Sequence, residues 1–220
     1  MIQSPLNYTG GKYKLLPQIL PYFPSEIECF IDLFCGGCNV GINVSASRYL
    51  YNDNCIPLIN LYKVMQKMKP DDFIKKIEIV IQKYELSDVK TNGYEYYKCS
   101  SADGVGAYNK DKYLKLRTDF NTLKEKNTDY YIMLYVLIAY AFNNQIRFNR
   151  NGEFNLPPGK RDFNQRMYDK LNSFITLLHK QEARFTHDDF RNINIDELTD
   201  KDFVYIDPPY LITCAAYNEQ

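Results

Sequence analysis

Two short apolar runs, one near each end of the chain, most constrain how this sequence can fold. Residues 29–34 (Cys-Phe-Ile-Asp-Leu-Phe) and residues 203–206 (Phe-Val-Tyr-Ile) have the length and composition of buried β-strands. The first is followed by Gly36-Gly37 and the second by Asp207-Pro208-Pro209-Tyr210, and both segments are typical of turns that end strands. With a third candidate strand at residues 48–52 and helices between the strands, the pattern predicts an α/β fold.

Most of the chain between these strands has helical patterning. Apolar residues keep helical spacing in residues 72–84, and residues 56–68 form another candidate helix. Residues 130–142 are almost wholly apolar, but about 13 residues are too few to span a bilayer, so a buried core helix is expected. The organisation predicted is a sheet domain formed by residues 1–53 and 166–220, with a mostly helical insertion at residues 54–165.

Composition excludes several classes of protein. The chain has 220 residues with 45% hydrophobic content, 13 Phe and 20 Tyr, which excludes a disordered chain. No secretory signal or run of about 20 apolar residues is present, so we expect no membrane association. The 6 cysteines then indicate reduced thiols and a cytoplasmic location. The net charge of zero excludes a chain that is basic overall, although residues 144–166 carry a local excess of +3.

The first glycine turn could bind a ligand. A Gly pair lets a ligand approach the backbone closely, and a helix is expected to follow from Asn39 through Val44 and to direct its positive end at the turn. Asp53 follows Gly36 by 17 residues, close to the offset of about 20 at which an acid accepts ribose hydroxyls in nucleotide-binding sheets. A tight turn without a ligand remains the alternative.

The segment after the last strand, Asp207-Pro208-Pro209-Tyr210, could hold a planar ring. Two successive prolines fix the backbone and remove two N–H donors, so the loop presents carbonyl groups, a carboxylate and an aromatic face. Those groups suit a ring with an exocyclic amine, which needs hydrogen-bond acceptors and a stacking surface. The alternative is that the prolines only end the strand.

A β-hairpin is predicted around Asn151-Gly152, the strongest short hairpin signal, because apolar residues alternate on both sides of it. It would present Arg147 and Asn149 from one strand and Lys160-Arg161 from the loop beyond. An arginine can bind guanine through two hydrogen bonds, and basic side chains neutralise phosphates. On charge alone, an ordinary surface hairpin is the alternative.

Four motifs in this order resemble the Dam-type DNA adenine methyltransferases. They are Asn7-Tyr8-Thr9-Gly10-Gly11-Lys12, Asp32-Leu33-Phe34-Cys35-Gly36-Gly37, Asn52-Asp53 and Asp207-Pro208-Pro209-Tyr210. The resemblance implies a Rossmann-like sheet that binds S-adenosylmethionine (AdoMet) and a DNA-recognition insertion that carries the hairpin. It also implies methyl transfer to the exocyclic N6 of adenine in duplex DNA, with base flipping and without a metal. The protein would be encoded by a bacterium or a phage and act on the nucleoid, and the oligomeric state is left open.

The resemblance also implies roles for individual residues. The AdoMet-binding residues are Tyr8, Lys12, Phe34, Gly36, Asp53, Phe190 and Asp207, and the catalytic residues are Asp207, Pro208, Pro209 and Tyr210. The hairpin segments also resemble the family's DNA-reading hairpin, so Arg147 would bind guanine and GATC is the expected site. Asn149, Lys160 and Arg161 complete the expected DNA-binding set. A role in restriction–modification, phage protection or housekeeping marking is left open.

Two rival interpretations remain at this point. Cys35-Gly36-Gly37-Cys38 is a Cys-x-x-Cys sequence that could act as a redox dithiol, although two small buried residues are the simpler interpretation. The sequence ends ten residues after Tyr210, where family members continue, so we expect a C-terminally incomplete catalytic domain. That expectation motivates the second rival, a non-catalytic DNA-binding relic of such an enzyme. The Tyr-rich residues 94–113 match no motif.

Overall fold

A parallel β-sheet forms one layer of the protein in the computed structural model, which describes residues 1–194 and 196–209. Within those residues the sheet has four strands in the order β3-β2-β1-β4, and every neighbouring pair is parallel. The strands are β1 (Cys29–Asp32), β2 (Arg48–Asn52), β3 (Ala183–Thr186) and β4 (Phe203–Tyr205). Because all four are parallel, their carboxyl ends meet at one edge of the sheet.

Helices pack against the sheet and against each other. They are α1 (Leu16–Ile19), α2 (Ile56–Lys67), α3 (Pro70–Lys83), α4 (Val89–Tyr96), α5 (Gly106–Thr122), α6 (Thr128–Tyr140) and α7 (Gln165–Leu178). As its continuous apolar sequence predicted, α6 is buried along nearly its whole length, and it packs against α2, α3 and α5. Each fully buried large apolar side chain contributes about 1.5–3 kcal/mol. The predicted α/β class, with a mostly helical block between the strands, is therefore confirmed.

One helix of the block also reaches the sheet. In α2, Gln66 donates a hydrogen bond to the backbone oxygen of Ala183 in β3 over 2.6 Å. The ring of Tyr62 in α2 stacks on Phe185 of β3 at 5.4 Å. The division of the chain at residue 54 stays a prediction, and α2, together with α3, which packs against α7, joins the two proposed parts.

The helix expected from Asn39 through Val44 does not form, so this prediction was wrong. Only a short 3-10 helix, Gly41–Asn43, follows the glycine turn. Cys38 has a left-handed φ of 54°, which cannot start an α-helix. The Asn39 side chain, expected to cap the helix, instead accepts a hydrogen bond from the backbone N–H of Ser4 at 3.0 Å. The turn therefore has no α-helix dipole directed at it from this segment.

The predicted hairpin is present around Asn151-Gly152. Phe148 and Phe154 form an antiparallel bridge, and the backbone N–H of Asn149 donates to the oxygen of Glu153 at 2.9 Å. Gly152 has a φ of 74°, the left-handed conformation that the Asn-Gly sequence predicts. At the base of the hairpin, Ala141, the residue after α6, forms a second antiparallel bridge with Pro158.

Among the residues that the structure describes, no helix is both long enough and apolar enough to cross a membrane.

Candidate active site

A cavity of about 840 Å³ opens at the edge of the sheet where the four strands end. That volume falls in the range of about 300–1,000 Å³ typical of ligand sites. Its lining includes the residues after β1, β2, β3 and β4 and the N-terminal loop. Predicted site residues on this wall are Tyr8, Lys12, Phe34, Gly36, Asp53, Phe190, Asp207, Pro208 and Pro209. The fold thus brings together positions up to 201 residues apart in the chain.

Asp53 holds the glycine turn in place. One of its carboxylate oxygens accepts the backbone N–H of Gly36 at 2.9 Å, and the other accepts that of Cys55 at 2.9 Å. From the opposite side, the Tyr62 hydroxyl donates to the backbone oxygen of Gly36 at 2.8 Å. Each carboxylate oxygen of Asp53 keeps a second lone pair. Asp53 can therefore accept ligand hydroxyls while it also fixes the turn.

Gly36 is needed at this position for two reasons. Its φ of 45° lies in the left-handed region that side chains disfavour. A Cβ atom there would also approach the ring of Tyr8 to 2.8 Å, closer than packed atoms come. The absence of a side chain at Gly36 lets Tyr8 lie directly on the turn, so the N-terminal motif and the glycine motif form one surface.

Asn52, which the sequence quoted only as the neighbour of Asp53, ties three strand ends together. Its side-chain amide donates to the backbone oxygens of Leu33 at 3.2 Å and Asp188 at 3.0 Å. Its oxygen accepts the hydroxyl of Thr186 at 2.8 Å and the N–H of Asp188 at 3.0 Å. Asn52 is thus the residue that holds the loop carrying Phe190 beside the turn carrying Phe34. Local sequence gave no signal for this role, because its partners lie as far as 136 residues away.

Two aromatic side chains lie on this part of the cavity wall. The rings of Phe34 and Phe190 have centroids 5.4 Å apart and are tilted by 47°. Phe190 is half exposed, so one of its faces is open to a ligand. Aromatic faces of this kind are suited to packing against a flat, uncharged ring.

Lys12 and Asp207, which the sequence assigned to different tasks, form an ion pair. The Lys12 ammonium lies 2.5 Å from a carboxylate oxygen of Asp207, and both side chains are partly exposed. The same ammonium donates to the backbone oxygen of Gly10 at 2.9 Å. The pair joins the N-terminal motif to the Asp-Pro-Pro segment across the cavity opening.

Asp32 is a second residue whose importance the sequence did not show. Its side chain is buried and lines the cavity, as do Asp53 and Asp207. The pKa of the Asp32 carboxyl is raised to about 7, mainly by burial and also by the charges of Asp207 and Asp53, whereas a hydrogen bond from the Gly41 N–H opposes the change. Near neutral pH, the Asp32 carboxyl is therefore partly protonated and partly ionised.

The thiols of Cys35 and Cys38 are buried and free. Burial raises the pKa of both thiols, and the nearby Asp32 and Asp53 carboxylates raise both further. A redox dithiol needs a lowered pKa and an accessible sulfur. No helix start lies at these cysteines, so the reason for expecting a lowered pKa is absent. The observations favour the simpler interpretation of two small buried residues beneath the turn.

Tyr210, the last residue of the predicted catalytic motif, lies outside the described residues. Pro208 and Pro209 are exposed at the cavity opening.

The four predicted DNA-binding residues lie on the hairpin and the loop after it, away from the cavity wall. Arg147 is exposed, and its Nε donates to the Asn155 side chain at 2.8 Å. The Asn149 side chain is engaged within the turn, where its oxygen accepts the N–H groups of Asn151 and Glu153, each at 3.0 Å.

Arg161 and Lys160, the other two residues of this set, differ in their contacts. The Arg161 side chain donates to the Tyr94 hydroxyl at 3.2 Å and to the Ser101 oxygen at 3.0 Å, so it binds the Tyr-rich segment. Lys160 is exposed. Arg147, Lys160 and Arg161 are all exposed, and local hydrogen bonds also hold the side chains of Arg147, Asn149 and Arg161. The DNA-binding roles of all four stay predictions.

The chemistry of the cavity wall fits AdoMet. The fit rests on the Gly36 turn, which a Cβ atom would fill, beside two aromatic faces and an acid that keeps free lone pairs. Lys12 offers a cation for a carboxylate, and the half-exposed Phe190 offers a face for an adenine ring. Among the described residues, no group of three or more His, Cys, Asp or Glu side chains could hold a metal ion.

A parallel sheet with a glycine turn after β1, an acid after β2 and Asp-Pro-Pro after β4 defines a Rossmann-like methyltransferase fold. A model of the D12 class N6 adenine-specific DNA methyltransferases matches residues 8–219. The chain therefore belongs to that family, as the motifs predicted.

Known relatives are similar along almost the whole chain. Modification methylase StsI of Streptococcus sanguinis is 40% identical over 220 residues, which are 99% of this chain and 30% of that protein. Type II methyltransferase M.FokI of Planomicrobium okeanokoites is 40% identical over the same shares of each chain. A DNA adenine methylase of Salmonella typhi is 29% identical over 213 residues, 97% of this chain and 66% of that protein. The chain thus spans about 30% of the length of the first two relatives.

The pKa of Asp32 leads to a testable pH dependence. Its folded-state pKa of about 7 lies above the ordinary value of 3.8, so its contribution to stability is present below pH 3.8 and is lost as pH rises through about 7. Ionised, it costs on the order of 4 kcal/mol. Asp32→Asn keeps an acceptor for Gly41 but carries no charge. We expect the unfolding free energy of Asp32→Asn, relative to wild type, to increase between about pH 4 and 7 and then level off.

Chemical denaturation at a series of pH values measures this difference. The exposed Asp200→Asn is the matched control and should follow wild type. A difference for Asp32→Asn that is constant across the whole pH range would show that folding does not change the pKa of Asp32, and would contradict the prediction.

Proposed function

We propose that this protein transfers the methyl group of AdoMet to the exocyclic N6 of adenine in duplex DNA. The observation that carries the proposal is the placing of Asp207-Pro208-Pro209 at the opening of the cavity that Tyr8, Phe34, Gly36, Asp53 and Phe190 line. Membership of the adenine-specific family supports the same reaction. The protein would act in the bacterial cytoplasm, on the DNA there.

The cavity residues would bind the cofactor. When bound, AdoMet supplies an electrophilic methyl group on a sulfonium. Lys12 would attract its carboxylate, and Asp53 would accept its ribose hydroxyls. Phe190 would pack on its adenine, and Phe34 with Gly36 would line its methionine part. Because Asp53 and Asn52 already hold these groups in place, little ordering would be required on binding, which favours affinity.

The Asp207 carboxylate and the Pro208 backbone oxygen would act on the target adenine. Its amino nitrogen is a poor nucleophile, since its lone pair is delocalised into the ring. Hydrogen bonds from that amino group to the two oxygens would stabilise the positive charge that develops as the nitrogen attacks. Stabilising charge mainly in the transition state is what increases the rate.

Adenine in a duplex cannot reach this cavity, so the base must leave the stack. Tyr210 would stack on the flipped base, and an aromatic contact of that kind contributes about 1–3 kcal/mol. Lys12 has a further part in this scheme. Its ammonium would orient the Asp207 carboxylate through the ion pair between the two side chains.

Sequence recognition is assigned to the hairpin. Arg147 would bind guanine in the major groove, Asn149 would support it, and Lys160 and Arg161 would contact phosphates. GATC is the proposed site, on the basis of the motif around Arg147. One relative at 40% identity is named a modification methylase and another a type II methyltransferase, which favours a restriction–modification role. The test of GATC therefore includes duplexes with other sequences.

Asp207→Ala should remove methyl transfer and leave DNA binding intact. Loss of a group that stabilises transition-state charge lowers kcat by about 10²–10³-fold in comparable sites. The measurement is transfer of labelled methyl from AdoMet to duplex oligonucleotides, alongside gel-shift binding to the same duplexes. Asp200→Ala, an exposed acid of the same region, is the control and should be as active as wild type.

Wild-type protein that binds DNA but transfers no methyl to any adenine-containing duplex would favour the non-catalytic relic. Full activity of Asp207→Ala would refute its catalytic role alone.

Arg147→Ala should relax sequence preference. A guanine contact through two hydrogen bonds contributes about 1–3 kcal/mol of discrimination, so the ratio of kcat/KM for GATC over single-pair variants should fall about 10–100-fold. Arg150→Ala, an exposed arginine at the hairpin tip, is the matched control. Wild-type preference for a sequence without GATC would reject the site, and an unchanged ratio in Arg147→Ala would reject the residue.

A further inference from the structure

The second strand of the hairpin, residues 153–156, has different backbone hydrogen-bond partners on its two edges. On one edge, the Glu153 oxygen accepts the Asn149 N–H at 2.9 Å, and the Asn155 N–H donates to the Arg147 oxygen at 3.3 Å. The backbone groups of Phe154 and Leu156 point to the other edge, as strand geometry requires. No β-strand lies there among the described residues.

Helix α5 supplies the partners on that edge. The Asn121 side chain bonds Phe154 in the manner of a neighbouring strand, since its Nδ2 donates to the Phe154 oxygen at 3.1 Å and its Oδ1 accepts the Phe154 N–H at 2.9 Å. The Leu156 oxygen accepts both the Arg117 Nη1 at 2.9 Å and the Tyr113 hydroxyl at 3.1 Å. These three α5 residues are spaced four apart, so they lie on one face of the helix.

Burial makes this arrangement specific to one register. The Phe154 and Leu156 side chains are buried, whereas Asn155 between them is partly exposed. A shift by one residue would turn every side chain to the opposite face and bury Asn155. It would also leave the Asn121 amide without its partners, at a cost of about 1–3 kcal/mol for each unmade bond in a buried setting.

The register of this strand fixes the position of Arg147. Asn155 contacts Arg147 twice, through the backbone bond and through its side-chain oxygen, which accepts the Arg147 Nε at 2.8 Å. α5 thus positions the second strand, and the second strand positions the arginine.

We propose that Tyr113, Arg117 and Asn121 form a register template, a helix face that sets DNA sequence preference by fixing the hairpin without contacting DNA. They are positioning residues, and Asn121 is the most specific of them because it bonds both backbone groups of one residue. The proposal rests on the proposed function in assigning base recognition to the hairpin. Its structural part, control of the hairpin register by α5, does not depend on methyl transfer.

Asn121→Leu is the direct test, because leucine has a similar size and makes neither bond. Hydrogen exchange should show faster exchange of the Phe154 and Asn155 amides, with α6 unchanged. The ratio of kcat/KM between the preferred duplex and single-pair variants should fall about tenfold or more, since each 1.4 kcal/mol lost is tenfold. The Kd for AdoMet should stay within about twofold, because Asn121 lies outside the cavity wall.

Two further variants make the test specific. Thr118→Leu adds the same side chain to the exposed face of α5 and should behave as wild type in every measurement. Asn121→Asp keeps an acceptor for the Phe154 N–H but loses the donor, so it should show a smaller loss of discrimination. If Asn121→Leu does not fold, Asn121→Asp is measured in its place.

The outcomes separate the two proposals. Unchanged exchange at Phe154 and Asn155 in the folded Asn121 variants overturns the register template. Faster exchange with unchanged sequence preference also overturns it, because the hairpin register would then not determine recognition. If wild type transfers no methyl group to any duplex, the proposed function fails, and the preference is measured by DNA binding instead.

Discussion

The bond between the Asp53 carboxylate and the backbone of Gly36 is the interaction on which the rest of the site depends. Gly36 adopts a left-handed conformation that brings the turn after β1 beneath Tyr8, and Asp53 at the end of β2 holds it there. Asn52 extends the same restraint to the loops after β1 and β3. Because parallel strands end at one edge, two adjacent residues of β2 and its loop fix most of the cavity wall. Their side chains are buried and hydrogen-bonded, so ligand binding need not order them.

The helical block between β2 and β3 is joined to this site by a few specific contacts. The Tyr62 hydroxyl of α2 bonds the oxygen of Gly36, and the Asn7 side chain of the N-terminal motif donates to the oxygen of Asn143 at 2.7 Å. Asn143 lies in the short segment between α6 and the hairpin. The cavity, the N-terminal motif and the base of the hairpin are therefore connected through packed or hydrogen-bonded groups. A base flipped from a duplex on the hairpin would be presented to a cavity whose position relative to the hairpin is fixed.

Local sequence predicted the parts of the structure that depend on local chemistry. β2 has the predicted bounds, and the hairpin turns at Asn151-Gly152. The missing helix after the glycine turn was mispredicted because Asn39 bonds Ser4, 35 residues away, instead of capping. Asn52, Asp32 and Asn121 were not identified, since their importance comes from burial and from partners distant in sequence. The roles taken from family resemblance could not have come from pattern or spacing alone.

In the proposed reaction the methyl acceptor is the amino group of adenine, presented to Asp207 and Pro208. Nucleoside analysis tests this most directly: duplex DNA is incubated with the wild-type protein and methyl-labelled AdoMet, then digested and separated. The label should co-migrate with N6-methyl-2′-deoxyadenosine and with no other nucleoside. Label in a methylated cytosine nucleoside, or none in any nucleoside although the protein binds both AdoMet and DNA, would contradict it.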